Sequence, residues 1–191
     1  MNVYDFDQTI YESDSSYHFI LYCLKKHPWA VLPVIPGAAL LALGYKRGWI
    51  GAKRLKQQLF SFLPRLRDPD RTVHDFWREH RKNLQPWYLR QKRTDDVIVS
   101  ASPEFLLRPI AEKLGVRLIA TSMDRRSGRI DGENCHGKEK VRRFFEKFPN
   151  AEIEAFYSDS LSDTPLAEQA KKAFLVRRGR LGLWPGKKKS A

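Results

Sequence analysis

The chain has 191 residues, with 35 Lys and Arg against 22 Asp and Glu for a formal net charge of +13, and it is 42% hydrophobic and 12% aromatic. That length fits one domain, or one domain carrying a large insertion, since domains commonly run to about 100–150 residues; it excludes repeat arrays and multi-domain machines. The apolar fraction excludes a wholly disordered basic tail protein, and Cys23 and Cys135, far apart in sequence, make no disulfide framework and suit a reducing compartment.

Met1 to Asp5 offers neither a basic n-region nor an apolar h-region, so no signal peptide is expected and the protein is placed on the cytoplasmic side. Val3 to Phe6 reads as a short strand with Asp5, Asp7 and Thr9 gathered at its carboxyl end. From Tyr17 to Arg93 there are 16 basic and 4 acidic residues, a net +12, which leaves +1 for the rest of the chain. A basic segment joined to a balanced one points to an anionic partner: nucleic acid, a membrane leaflet or an acidic protein.

Pro28 to Tyr45 contains no charged side chain over 18 positions. At ~1.5 Å per residue, such a helix would barely cross a hydrocarbon core of ~30 Å, and Pro33 and Pro36 each remove a backbone donor inside it. Lys25, Lys26, Lys46, Arg47, Lys53 and Arg54 flank both ends, as they would if both ends faced one anionic leaflet. The favoured reading is a segment that dips into or lies on the membrane, ahead of a buried apolar hairpin and a full span. From Ile50 to Arg93 the pattern is helical and basic, with Leu55, Leu59 and Phe62 at spacings of four and three. Phe76, Trp77, Leu84, Trp87 and Tyr88 are interleaved with cations; they are read mainly as core, although such rings also suit nucleobase stacking or a membrane interface.

After Arg93 the texture changes to strands alternating with helices, which predicts a parallel, doubly wound α/β sheet. Strands are expected at Asp95–Ser100, Val116–Thr121, Ile153–Ser158 and Phe174–Val176. Helices are expected after Ser102 as N-cap with Pro103 at the first helical position and ending at Gly115, from about Lys138 to Phe148, and near Pro165–Lys171; Ser127-Gly128-Arg129 reads as a hairpin turn. Ligands bind such sheets at the carboxyl ends of the strands. There the chain places Asp5, Asp7 and Thr9, then Ser100 and Ser102, then Asp159 and Asp163, with Lys138 and Lys140 opening the helix between. Four carboxylates held together repel one another unless a hard cation such as Mg²⁺ sits among them. Cys135-His136 and the histidines at 18, 27, 74 and 80 have no metal-ligand spacing and are read as incidental, surface or cap residues; Lys187-Lys188-Lys189 reads as a solvated tail.

Asp5-Phe6-Asp7-Gln8-Thr9 resembles the DxDx[TV] motif of the haloacid dehalogenase-like (HAD) phosphatases. Ser100 matches their Ser/Thr after a hydrophobic strand, Lys140 their lysine, and Asp159 to Asp163 their DxxxD. The insertion of about 80 residues after the first motif resembles the subfamily that includes phosphoserine phosphatase. Cys135 to Val141, Tyr157 to Ser160 and the proline-containing apolar run resemble the bacterial phosphatidylglycerophosphatase C family more closely still.

The resemblance implies a HAD-like catalytic core over 1–10 and 94–191 and a helical, basic, membrane-associating cap over 11–93. It implies Asp5 as nucleophile, Asp7 as general acid and base, and Ser100, Ala101, Thr9 and Lys140 as phosphoryl-binding groups. Mg²⁺ would be held by Asp5, the Asp7 main-chain carbonyl and Asp159, with Asp163 supporting them. The expected activity is a Mg²⁺-dependent phosphatase acting on a phosphorylated lipid, phosphatidylglycerophosphate leading, at the cytoplasmic face of a membrane. A soluble phosphatase for phosphoserine or another small ester is the alternative. A nucleic-acid module ranks lower, since the cations surround an apolar stretch rather than forming a stripe, and no nucleic acid is expected as partner. Gln8 departs from the Gly usual after the second Asp, Lys138 competes with Lys140, and whether Arg65, Arg67 or Arg78 reaches a second phosphate stays open, as does the oligomeric state.

Overall fold

The computed structural model describes residues 1–186, so the Lys187–Lys189 tail lies outside the described residues. Strand β1 (Asn2–Tyr4) leads into the inserted helices α1 (Ser15–Lys26), α2 (Pro28–Val31), α3 (Ile35–Lys46), α4 (Ala52–Leu59), α5 (Pro69–His80) and α6 (Pro86–Gln91). The chain then alternates: β2 (Val97–Pro103), α7 (Glu104–Leu114), β3 (Arg117–Thr121), α8 (Lys138–Lys147), β4 (Ile153–Ser158), α9 (Thr164–Glu168), β5 (Ala170–Arg177) and β6 (Arg180–Leu183). The six strands form one sheet in the order β3-β2-β1-β4-β5-β6, parallel except for β6, which returns antiparallel on β5. β1 is central, and the strand order reverses beside it, so its carboxyl end opens onto the crevice where such sheets bind ligands.

The α/β architecture agrees with the expectation, and several boundaries are corrected. The first strand stops at Tyr4, although the Asp5 N–H still bonds the Tyr157 carbonyl at 2.8 Å and so continues the ladder by one rung. β2 runs on through Pro103, so Pro103 rather than Ser102 is the N-cap of α7. The last parallel strand starts at Ala170, where a longer helix was expected, and β6 was not anticipated: its four residues are exposed and lack a buried face to produce an alternating pattern. Gly115 ends α7 as expected, with φ of 69°.

Alternating strand residues feed two cores. Val97, Val99 and Phe156 face the side covered by α8 and α9, with Phe144 and Leu166. Tyr4, Ile98 and Tyr157 face the other side, where Leu106, Leu107 and Ile110 of α7 join Phe19, Phe76, Trp77 and Tyr88 from the insertion. The Trp77 indole N–H donates to the Leu106 carbonyl at 2.6 Å. Most of the insertion's rings therefore close the sheet's own core, as the mainly structural reading expected.

The uncharged run behaves differently. Pro28 to Lys46 is a 19-residue helical run, tightened to a 3₁₀ turn at Leu32–Val34 where Pro33 interrupts the regular bonds, and only 22% of its apolar stretch is buried. Trp29 is 85% exposed, Leu40 70% and Trp49, just beyond, 77%. By length and composition the run could cross a membrane.

Candidate active site

Three strand ends and one helix build the site. Asp5 and Asp7 follow β1, Ser100 to Ser102 lie on the carboxyl half of β2, and Asp159 and Asp163 follow β4. α8 starts just after Gly137, its N-cap, whose φ of 57° suits glycine, and presents Lys140 on its buried face one turn before Phe144. The Lys140 ammonium donates to Asp5 Oδ1 at 2.7 Å and to Asp163 Oδ2 at 2.6 Å, and Asp163 Oδ2 also accepts from Ser158 Oγ at 2.8 Å. Lys138, in contrast, is exposed, so Lys140 is the lysine that reaches the carboxylates.

Asp7 is pinned between two elements. Its Oδ1 accepts the Ser15 N–H at the start of α1 at 2.6 Å, and its Oδ2 accepts the Ser102 hydroxyl at 2.5 Å. Burial pushes its carboxyl up to about 6, Asp14 adds to the rise, and the bonds from Ser102 and Ser15 pull it back. A carboxyl poised there exchanges a proton near neutral pH, as a general acid and base must. Gln8 supplies the turn between the β1 end and α1 with φ of 56°, a left-handed conformation that a glycine adopts at no steric cost. Gln8 thus takes here a backbone conformation that glycine, the residue usual at this place in the motif, adopts freely.

Ser100 is buried and its Oγ accepts the Ser102 N–H at 3.1 Å. Thr9 is fully buried under the turn, with its hydroxyl unpartnered. Asp5, Asp7, Ala101, Lys140, Asp159 and Asp163 line one cavity of about 610 Å³, together with Ser102, Lys56 and His136. Its opposite wall comes from the insertion: Tyr17, Ile20, Tyr45, Leu55, Leu59 and Phe60.

Residues 3–168 match the sequence model of the haloacid dehalogenase-like hydrolases. The chain belongs to this family. Protein CicA of Caulobacter vibrioides is 30% identical over 202 residues, which cover 93% of this hydrolase and 86% of CicA. A Bordetella pertussis Tohama I protein of unknown function shares its fold at a TM-score of 0.77 and 24% identity, covering 91% of this chain and 87% of that one. A phosphoserine phosphohydrolase-like protein of Francisella tularensis SCHU S4 does so at 0.57 and 18%, covering 91% and 86%.

The donor set of this hydrolase fits a hard divalent cation. Burial pushes the Asp5 carboxyl up to about 8; Lys140 pulls it back, while Asp163 and Asp7 add to the rise. Asp159 is also raised, first by burial and then by Asp163. One ammonium therefore faces three crowded carboxylates, and Asp163 Oδ1 is buried without a partner. Added positive charge is what such a cluster lacks. Among the described residues no group of three carboxylate, imidazole or thiol side chains is arranged to hold a metal by itself.

Sequence reasoning missed four residues that lie at or beside the cavity. Lys56 lay unmarked among sixteen cations of the basic segment, and His136 had no ligand spacing. Thr121 and Asn134 sit beneath the floor, where the Thr121 hydroxyl lies 2.7 Å from the Ala101 carbonyl and 3.0 Å from Asn134 Oδ1. No signal along the chain identifies them, because packing alone brings them to the β2 end.

Proposed function

We propose that this hydrolase is a Mg²⁺-dependent phosphomonoesterase that acts on a lipid phosphate, with phosphatidylglycerophosphate the leading candidate, from the cytoplasmic face of a membrane. The observation that carries this reading is the two-sided cavity: a floor of carboxylates and lysine faces an apolar wall that includes Tyr45 of α3, the helix whose outer face is exposed Ile35, Leu40 and Leu43. A phosphate ester with an apolar tail matches both surfaces, and the exposed apolar helix flanked by cations matches the interface where such a tail resides.

In the reaction, the Asp5 carboxylate attacks phosphorus and the phosphorus–oxygen bond to the alcohol breaks, giving an aspartyl phosphate. Asp7 gives its proton to the departing alkoxide oxygen. Asp7, now ionised, takes a proton from water as that water attacks the same phosphorus, and Asp5 leaves as the carboxylate. On this reading the Ser100 hydroxyl and the Ala101 N–H donate to phosphoryl oxygens, and Lys140, bonded to Asp5, offsets the charge of the transferring group. Mg²⁺, bound by the Asp5 and Asp159 carboxylates and the Asp7 carbonyl, would supply charge neutralisation for the approach of one anion to another. Thr9 supports the turn from within.

The test is phosphate release from lipid and water-soluble phosphate esters with Mg²⁺. Lipid esters are expected to be the better substrates, and Asp5→Asn to lose ~10³-fold or more. Equal rates on soluble esters overturn the lipid reading; full activity of Asp5→Asn overturns the mechanism.

A further inference from the structure

Arg65, Arg67 and Arg78, the insertion's obvious candidates for a second anionic group, do not line the cavity; Lys56 does. It projects from α4, and its ammonium donates to the Ala101 carbonyl at 2.7 Å and to Asn134 Oδ1 at 2.8 Å. Both acceptors are neutral, and an ammonium has three protons, so one N–H is left for a ligand. Among the described residues Lys56 pairs with no carboxylate; Asp7 and Asp14 act on it only through space. Burial lowers its pKa, and the charges of Asp7 and Asp14 oppose that without reversing it. Lys140 is already committed to Asp5 and Asp163. The cavity thus holds one cation with its counter-ions and one without.

The position of Lys56 narrows what it meets. On one side are Ala101 and Ser102 of the floor; on the other are Leu55 and Leu59 of its own helix, both lining the apolar wall. A ligand with its reacting phosphate on the floor and its apolar part along that wall passes Lys56 in between. A phosphodiester carries its charge on the link between two parts of one molecule, which matches an ammonium lying between the floor and the apolar wall. A compact ammonium suits one phosphate oxygen.

We propose that Lys56 is the specificity residue of this cavity, binding a phosphodiester that lies between the reacting phosphomonoester and the apolar part of the substrate. The proposal rests on the phosphatase reading of the floor, so its test uses water-soluble esters that remove the lipid variable. Glycerol 3-phosphate carries the monoester alone; glycerophosphoglycerol phosphate, the acyl-free ester, carries monoester and diester. Wild type is expected to prefer the second. Lys56→Gln, which keeps a neutral N–H donor on a side chain one atom shorter, is expected to lose about 10–100-fold in kcat/KM on it, the size of one charge-assisted contact. The same variant stays within about threefold of wild type on glycerol 3-phosphate, Lys56→Arg restores part of the loss, and thermal melts of both variants stay close to wild type. Equal losses on the two esters overturn the assignment alone and make Lys56 a support of the floor. Failure of wild type to release phosphate from these two esters and from a lipid phosphate alike overturns the phosphatase reading and this one with it.

Discussion

α7 and α3 are helices of 11 and 12 residues that place their apolar side chains in opposite ways. α7 buries Leu106, Leu107, Ile110, Ala111 and Leu114 against the sheet and turns Glu112 and Lys113 to solvent, an amphipathic pattern that folding alone accounts for. α3 buries only Ala38 and Gly44, where it meets the chain around α4, and leaves Ile35, Leu40, Leu43 and Tyr45 exposed. Its apolar surface contributes little to the fold, and exposed apolar patches of this kind mark interaction sites.

The sharpest way to break that contrast is to truncate one leucine on each helix. Leu107→Ala, at a fully buried position, is expected to cost about 2–5 kcal/mol, each kcal/mol lowering Tm by roughly 2–4 °C in a chain of this size. Leu40→Ser, at a position 70% exposed, is expected to stay within about 0.5 kcal/mol of wild type. Calorimetry on both variants checks the pair, and a large loss for Leu40→Ser would show that α3 is structural after all.

A second contrast lies within the cavity, between the single ammonium of Lys140 and the several carboxylates crowded around it. Asp5 and Asp7 are raised from the ordinary 3.8 to about 8 and about 6, so the folded protein binds protons that the unfolded chain releases. For a carboxyl with a raised folded value, stability falls as pH rises from near 4 and levels off once the folded value near 8 is passed. Melting with a chelator is therefore expected to give a lower Tm at pH 8 than at pH 5. Mg²⁺ at ~100 times its Kd should add about 2.7 kcal/mol at pH 8, and Asp159→Asn should abolish most of that rise. A Tm of wild type indifferent to Mg²⁺ would contradict the cation site without any reference to activity.

The expected membrane contact is weaker per residue. Removing one leucine from an interface forfeits roughly 1.5–3 kcal/mol, so Leu40→Ser should weaken sedimentation with vesicles of anionic phospholipid about tenfold or more. Leu161→Ser, at an exposed leucine of the core that is 50% accessible, should leave it unchanged.

These contrasts also explain what a reading of the chain could reach. Asp5, Asp7, Ser100, Lys140, Asp159 and Asp163 were legible because each stands at a strand end or helix start announced by its own neighbours, and the order of the elements gathers them. β4 was read to the residue because it is buried on both faces and bounded by charge. Ser102 was misplaced as a helix cap because Ser-Pro-Glu imitates that signal, while in the fold the strand continues and the hydroxyl turns to Asp7 instead. Lys56 was invisible for a different reason. Its neighbours Lys53 and Arg54 carry the same charge, and only the docking of α4 against the β2 end and the loop at Asn134 distinguishes it from them.

The smallest expected effect concerns the turn that holds Asp7. Gln8 adopts φ of 56°, where a side chain costs roughly 1–2 kcal/mol that glycine does not. Glycine in turn loses more backbone entropy on folding, by roughly 0.5–1 kcal/mol. The two terms oppose each other and the steric one is larger, so Gln8→Gly should raise Tm by only about 1–3 °C. Gln8 is exposed, and the hydrogen bonds that hold the turn, from the Gln8 N–H to the Ser13 carbonyl at 3.1 Å and from the Ser15 N–H to Asp7, use backbone donors that glycine leaves intact. Phosphatase rates for Gln8→Gly should therefore match wild type while the melt moves up. A fall in Tm would mean that the Gln8 side chain contributes more to the turn than its left-handed backbone costs.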